Sequence, residues 1–334
     1  MEIFEYEDKI KNEWNDFCLN SPDSWFWYTR WFCDFIKGIH GDSLIKDESF
    51  TVINRNKIVA VIPVMCVRNS NTVNLIFGDQ PLPWPLFSSL LSAKELKNIK
   101  ALVFENYRKI ALTYDADFID TYGTTLSETM YLNKNIIVDP TLPFGYVGRS
   151  HHTCSIYLTP DKKVLWGSVR KGHKSSIKSF NKFFEVKTWC NEITGEEFEE
   201  YRKLHALAAG RTTRPSLTFD MMKSWIETGN GLLIGASRDG VFCGFIYIII
   251  YKKAAYYASA ANHPDMEDSF GVGHGLIWEA INQCKDKGLH ILEMGKQYYG
   301  TSDDDSDKEI NISNFKRGFG GNLITRYEST LKLR

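Results

Sequence analysis

No stretch of about 18 apolar residues occurs in the sequence, so nothing in it is long enough to cross a bilayer as a helix. Its opening, MEIFEYEDKIKNEW, is charged and lacks the apolar core of a secretion signal, which makes the cytoplasm the expected location. The seven cysteines never form a close Cys-x-x-Cys pair, which argues against a zinc site and a disulfide framework. Cys66 and Cys243 sit inside apolar runs and are most simply small buried hydrophobes. An excess of one charge is missing too. With 40 basic residues against 41 acidic ones, the formal charge of −1 supplies no global pull toward DNA or RNA, though a local basic face stays open. No metal is expected. His151-His152 has no spaced partner, and the acidic loop Gly300–Glu309 lacks the alternating ligands and central glycine of a calcium loop. That loop reads as a mobile, solvated lid, with cation binding as the lesser option.

What is present is a well-fed core. The 334 residues are 43% hydrophobic and 14% aromatic, enough for one large or two medium domains. Ile10, Trp14 and Phe17 recur at helical spacing, and a second helix is expected over Trp27–Lys37. Phe50–Asn54 and Ile58–Val67 flank the polar turn Asn54–Lys57 as a hairpin. The three prolines of NLIFGDQPLPWPLF forbid a central strand or helix interior, leaving an ordered loop of the kind that lines a pocket. A long helix over Ala93–Tyr114 and a short strand over Phe118–Thr121 follow. Helices 196–209 and 218–228, hairpin 231–250, strand 254–260, helix 276–287 and strand 289–294 then repeat that order. Helix, helix, hairpin, helix, strand therefore occurs twice, around 8–122 and around 196–295. The expectation is a mixed α/β (α+β) protein of two related units, 1–150 and 151–334.

Between the repeats, DKKVLWGSVRKGHKSSIKSFNKF has no acid after Asp161 and is expected to form one basic helix that includes Arg170 and Lys171. It is either a solvated face or an anion-binding surface. Further on, a strand is followed by Gly271, Val272, Gly273, His274 and Gly275 opening a helix, the arrangement that brings backbone N–H groups to a phosphate or an acyl carbonyl. The lesser reading is that these glycines merely cap and pack a helix; His274 is a candidate base, although a His between two glycines more often has a backbone or packing role. Glu293 closes a strand before Gly295 and is either a proton acceptor for an amine or a structural carboxylate. Lys316, within FKRGFGG, is a candidate for holding an anion or an oxyanion, while the glycines let the backbone turn tightly; a plain surface lysine is the alternative. Alternation along the third strand puts Tyr257 and Ser259 on one face, with Tyr256 and Asn262 close by. Arg211 and Arg214 are placed to grip a carboxylate or phosphate, and Phe315 neighbours Lys316.

The tail NISNFKRGFGG after GLHILEMG resembles the signature of the Fem-type peptidyltransferases and of acetyltransferase-like proteins from polysaccharide gene clusters. Both belong to the GCN5-related N-acetyltransferase (GNAT) superfamily. The resemblance is strongest over 165–325. It implies two tandem GNAT-like (acyl-CoA N-acyltransferase) units, each a mixed central sheet flanked by helices, with the active cleft in the second unit and at the junction. Phe270, Gly273 and Gly275 fall at the three defined places of the Gln/Arg-x-x-Gly-x-Gly/Ala turn that holds pyrophosphate, with Phe270 replacing the leading Gln/Arg. Lys316 takes the place of the family's active-site lysine, and Glu293 that of an acidic residue before glycine. The reaction implied is attack of an amine on an activated acyl group, with Glu293, Lys316 and Tyr257 catalytic. Gly271, Gly273, His274, Gly275, Arg170 and Lys171 would hold the donor; Arg211, Arg214, Ser259, Asn262 and Phe315 the acceptor. The expected donor is acyl-CoA, a co-substrate and not a resident cofactor, and the expected acceptor an amine on a sugar, nucleotide-sugar or cell-envelope glycan precursor. Aminoacyl-tRNA, the Fem-type donor, is the alternative, and a non-catalytic glycan- or nucleotide-binding protein is the rival from another class.

Overall fold

In the turn between Phe50–Asn54 and Lys57–Ile62, Arg55 and Asn56 both hold left-handed backbone, with φ of 51° and 59°. Two successive left-handed residues match the twist of antiparallel strands, and Asn54 duly pairs with Lys57. The expected long second strand breaks at Pro63, and Met65–Asn69 pairs instead with Leu44–Asp47 and Thr72–Ile76. These observations come from a computed structural model that describes residues 1–69, 72–78, 80–132, 139–266, 270–300 and 306–333.

The chain divides into two units, Met1–His151 together with Thr325–Arg334, and His152–Ile324. In the first, helices Lys11–Asn20 and Arg30–His40 precede the hairpin, and Trp14, Cys18 and Tyr28 pack against Val61 and Leu86. Helix Ala93–Thr113 starts on a capping box in which Ser92 and Glu95 satisfy each other's backbone N–H groups. It leads into strand Phe118–Tyr122, which runs parallel to Thr72–Ile76 at Leu75↔Ile119. On its other edge that strand pairs antiparallel with residues 328–332 of strand Asn322–Lys332. The ten residues from Thr325 thus belong to the first unit, whereas their sequence position alone had grouped them with the second. The proline-rich stretch, expected as a loop, instead contributes residues 74–76 to strand Thr72–Ile76 and forms the short strands Leu82–Pro83 and Leu86–Phe87. These pair with Phe118–Tyr122 and Lys57–Ile62, where proline is tolerated because each short strand supplies only two residues at a sheet margin. The stretch borders a cavity of about 320 Å³ lined by Tyr28, Trp84, Phe87, Lys100 and Thr124 among others.

In the second unit the strands lie in the order Glu185–Trp189, Gly231–Arg238, Val241–Tyr251, Ala254–Asn262, Ile291–Lys296, and residues 153–157 of Val147–Tyr157. All neighbours are antiparallel except Ala254–Asn262 and Ile291–Lys296, which are parallel and joined by helix Val272–Asp286. One sheet face carries Ile234, Ile246, Ile248, Leu292 and Met294 against Ile177 and Phe180 of helix Lys171–Phe183 and Leu276, Ile277 and Ile281 of helix Val272–Asp286. The other carries Tyr247, stacked on Tyr201 of helix Gly195–Ala209 and bonded to the Met222 carbonyl of helix Ser216–Glu227.

Three elements of the second unit also depart from expectation. The single basic helix is two, Lys162–Ser168 and Lys171–Phe183, because Val169 and Arg170 are extended. The glycine-opened helix begins at Val272, so Gly273, His274 and Gly275 lie inside it. Asp307–Arg317 is a helix, capped by Ser306 and Glu309. Of the expected acidic lid, residues 301–305 lie outside the described residues, and residues 306–309 belong to that helix start. Among the described residues no cluster of metal-ligating side chains occurs, and no helix is long and apolar enough to cross a membrane.

Candidate active site

Strands Ala254–Asn262 and Ile291–Lys296 begin side by side and then part. Their ladder contains Ala254↔Ile291, Ala255↔Leu292 and Tyr256↔Glu293, and ends there. Ile291–Lys296 stays bonded to its other neighbour through Cys154↔Gly295 and Thr153↔Lys296. Two local causes are visible. Gly295 has φ of 90°, which turns the strand in a way open to glycine. Ala258 is an extra residue between the pairs Tyr247↔Ser259 and Ile248↔Tyr257, and such a bulge raises local twist. The result is a wedge in the sheet, beyond which the two strands no longer pair with each other.

Lys316 enters this wedge from the last turn of helix Asp307–Arg317. Its Nζ lies 4.8 Å from the Tyr257 ring centroid, within cation–π range. A Cβ placed on Gly295 would stand 3.5 Å from that Nζ and 3.8 Å from the Tyr256 hydroxyl, so both groups converge on Gly295. Burial lowers the Lys316 ammonium to about 8, against smaller upward pulls from Cys154 and Glu293. Burial also pushes the Cys154 thiol up to about 11 and raises the Tyr257 phenol. Glu293 is only 5% exposed and alternates with core residues Leu292 and Met294, which puts its carboxylate on the opposite sheet face.

The helix carrying Lys316 is anchored twice. Ser313 Oγ accepts the Tyr298 N–H at 3.0 Å, and Arg317 donates to Gln297 Oε1 at 3.1 Å. On its inner side, His173 Nε2–H donates to the Phe315 carbonyl at 2.9 Å, and the Arg170 N–H donates to the Gly318 carbonyl at 2.8 Å. The His173 ring fills the place of a Gly318 side chain, since a Cβ there would meet Nε2 at 2.1 Å. Sequence reasoning passed over His173 and Gln297 as components, whereas Tyr256, expected beside Tyr257 at the strand's end, does reach the wedge.

The bulge overturns the alternation argument. Tyr257 lies opposite Ile248 and packs into the helix-covered core, whereas Ser259 lies opposite Tyr247 and accepts the Tyr201 hydroxyl at 3.1 Å on the far face. Arg214 is on that far side, 5.5 Å from the Phe219 ring, while Arg211 is exposed. Asn262 returns to the Tyr257 side, its amide 3.2 Å from where a Gly273 Cβ would be. The wedge therefore gathers Lys316, Phe315, Tyr257 and Asn262 on one face, with Glu293, Ser259 and Arg214 on the other.

Helix Lys171–Phe183 accounts for two of the glycines. A Cβ on Gly275 would stand 2.0 Å from the Phe180 ring, and one on Gly271 2.7 Å from the Ser176 carbonyl. Close helix packing dictates both. His274 meets the His173 ring at 4.5 Å and Phe315 at 4.8 Å; burial first, and His173 second, lower it to about 4, so it is neutral and packed. Arg170 and Lys171 are exposed at the other helix's start, and no carboxylate pairs with Arg170, Lys171, Lys174, Lys178 or Lys182 among the described residues.

Residues 167–316 match the family described as acetyltransferase (GNAT) domain. The chain carries a GNAT domain and has a Fem-like fold. Among solved structures, FemX superposes with a TM-score of 0.70 at 11% identity, covering 98% of this chain and 97% of FemX. L-PGS from Bacillus licheniformis gives 0.62 at 13% identity over 99% and 93%. A tandem GNAT protein from the clavulanic acid biosynthesis pathway gives 0.55 at 13% over 99% and 98%. No curated protein matches the sequence. The GNAT match spans the basic helix, the glycine-opened helix, the wedge and Lys316, and so covers the site built above.

Proposed function

We propose that the second unit is an N-acyltransferase that moves an acyl group from acyl-CoA to an amine on a sugar, nucleotide-sugar or cell-envelope glycan precursor. The observation that carries this reading is the wedge with Lys316 inside it. An acyl carbonyl lying along the parted strands meets the edges of both strands and a half-buried ammonium. When the amine nitrogen attacks, the C–N bond forms and the carbonyl electrons move onto oxygen, where Lys316 stabilises the negative charge. Collapse breaks the C–S bond and releases the thiolate. The proton lost by the amine goes to a carboxylate, for which Glu293, at the parting of the strands but on the opposite sheet face from Lys316, is the candidate. Position and electrostatics supply the rate in this scheme.

The test is release of free CoA thiol from acetyl-CoA across a panel of amino sugars. Turnover by the wild type and its loss in Lys316→Ala support the reading. Equal turnover in the variant removes Lys316 from the chemistry.

A second reading has its own support. The cations of helix Lys171–Phe183, which no carboxylate neutralises among the described residues, with Gly271 and Gly275 filled by that helix, favour a larger polyanionic donor such as aminoacyl-tRNA. An aminoacylated RNA minihelix offered in place of acetyl-CoA separates the two. Amide formation from the minihelix alone assigns the protein to the Fem-type chemistry.

A further inference from the structure

Phe183, Phe270 and Arg238 come from three separate elements and meet on the surface. Phe183 ends the basic helix and is 42% exposed; Phe270 precedes the glycine-opened helix and is 39% exposed. Their ring centroids are 4.7 Å apart, and the Arg238 guanidinium lies 5.7 Å from one and 5.0 Å from the other. Arg238 has one acidic neighbour, Asp239, at 3.6 Å across the hairpin turn. Phe270 also holds φ of 61°, a left-handed conformation that is costly for a bulky side chain. Exposed rings gain little in water, so two of them held together under a cation call for a partner that covers them.

The surroundings say what that partner carries. Lys174, Lys178 and Lys182 recur every four residues along the helix that ends in Phe183, Lys171 adds to the same stripe, and no carboxylate pairs with any of them among the described residues. Lys174 donates to the Gly167 carbonyl at 3.0 Å, and among the described residues the row as a whole has no carboxylate partner. Aromatic faces beside a row of cations that no carboxylate neutralises are how proteins hold a nucleobase and its phosphates. We infer that Phe183, Phe270 and Arg238 form a stacking platform for the adenine of a phosphorylated adenosine, whose phosphates lie along the lysine stripe. This rests on the donor reading above, because acyl-CoA and aminoacyl-tRNA both end in such an adenosine.

The experiment measures dissociation constants of the full chain for adenosine 3′,5′-bisphosphate, CoA, and an RNA minihelix ending in CCA. Wild type is compared with Phe183→Ala and with Phe270→Asn, since asparagine tolerates left-handed backbone. Melting temperatures serve as the folding control. Loss of a stacked base predicts affinity for adenosine 3′,5′-bisphosphate about tenfold or more weaker in each variant. Whichever of CoA and the minihelix shows the loss identifies the source of the adenosine. Unchanged constants in both variants overturn the platform, as does failure of all three probes to bind the wild type. Binding to anionic phospholipid vesicles that the variants lose, without nucleotide binding, also overturns it and gives the rings to a membrane surface. Turnover that depends on Lys316 stands or falls separately, so the platform and the transferase reading fail in distinguishable ways.

Discussion

Lys316 should make the protein more stable as the solution becomes alkaline. Its ammonium is held at about 8 in the folded state against an ordinary 10.5, chiefly by burial. Between those values the unfolded chain binds a proton that the folded chain does not, so unfolding free energy rises with pH. Below about pH 8 both states are protonated and the folded state carries the full cost of the buried charge. A gap of 2.5 pH units gives a ceiling of about 3 kcal/mol, from about 1.4 kcal/mol per unit, and partial solvation brings the working figure to about 1–2 kcal/mol. Lys316→Met removes the titrating group while keeping the length of the side chain. Urea unfolding at intervals from pH 7 to 10.5 should show the wild type gaining that amount relative to the variant, nearly all of it above pH 8. Parallel curves would mean that the amine is well solvated, and the electrostatic role built on its burial would go with them.

Glu293→Gln should lower kcat by about 100-fold or more if the carboxylate takes the amine's proton, with the melting temperature little changed; unaltered kcat leaves it a structural group. Charge reversal at Arg170 and Lys171 should raise the apparent donor dissociation constant, and its salt dependence should flatten; no change returns those residues to a solvated face. Gly275→Ala forces a methyl into the Phe180 ring and should cost about 1–3 kcal/mol in denaturant unfolding. Little change would show that the two helices slide apart freely. Because His274 is held at about 4, below its ordinary 6.5, stability should fall as pH drops through that interval. His274→Gln should flatten that acid limb, and an unchanged limb assigns it to other groups.

Much of the fold could be seen in the sequence because it is written in local patterns. The capping box at Ser92, the Asn54–Lys57 turn and the apolar run of 241–250 each need only neighbouring residues to declare themselves. Helix Asp307–Arg317 did not, since its first turn is an acidic string and its buried face is narrow, with Ser313 as its one buried residue. The site was visible as residue types and blurred as geometry. Lys316 and Glu293 were picked out, but a single inserted residue, Ala258, reversed the face of everything beyond it, and strict alternation cannot register a bulge. The glycines of 271–275 were correctly singled out as unusual. Their reason is the Phe180 ring and the Ser176 carbonyl on another helix, which lie far away in sequence.

The strand Asn322–Lys332 carries a consequence for synthesis. Phe118–Tyr122 leaves the ribosome with one edge unsatisfied, and its partner for that edge, residues 328–332, follows about 200 residues later. At about 5–20 residues per second the wait is roughly 10–40 s. Throughout it, Thr121 lacks the Ser329 hydroxyl that it meets at 2.9 Å, and an open strand edge is offered to any neighbouring chain. The second unit can close on itself in that time, while the first, though begun earlier, is finished last.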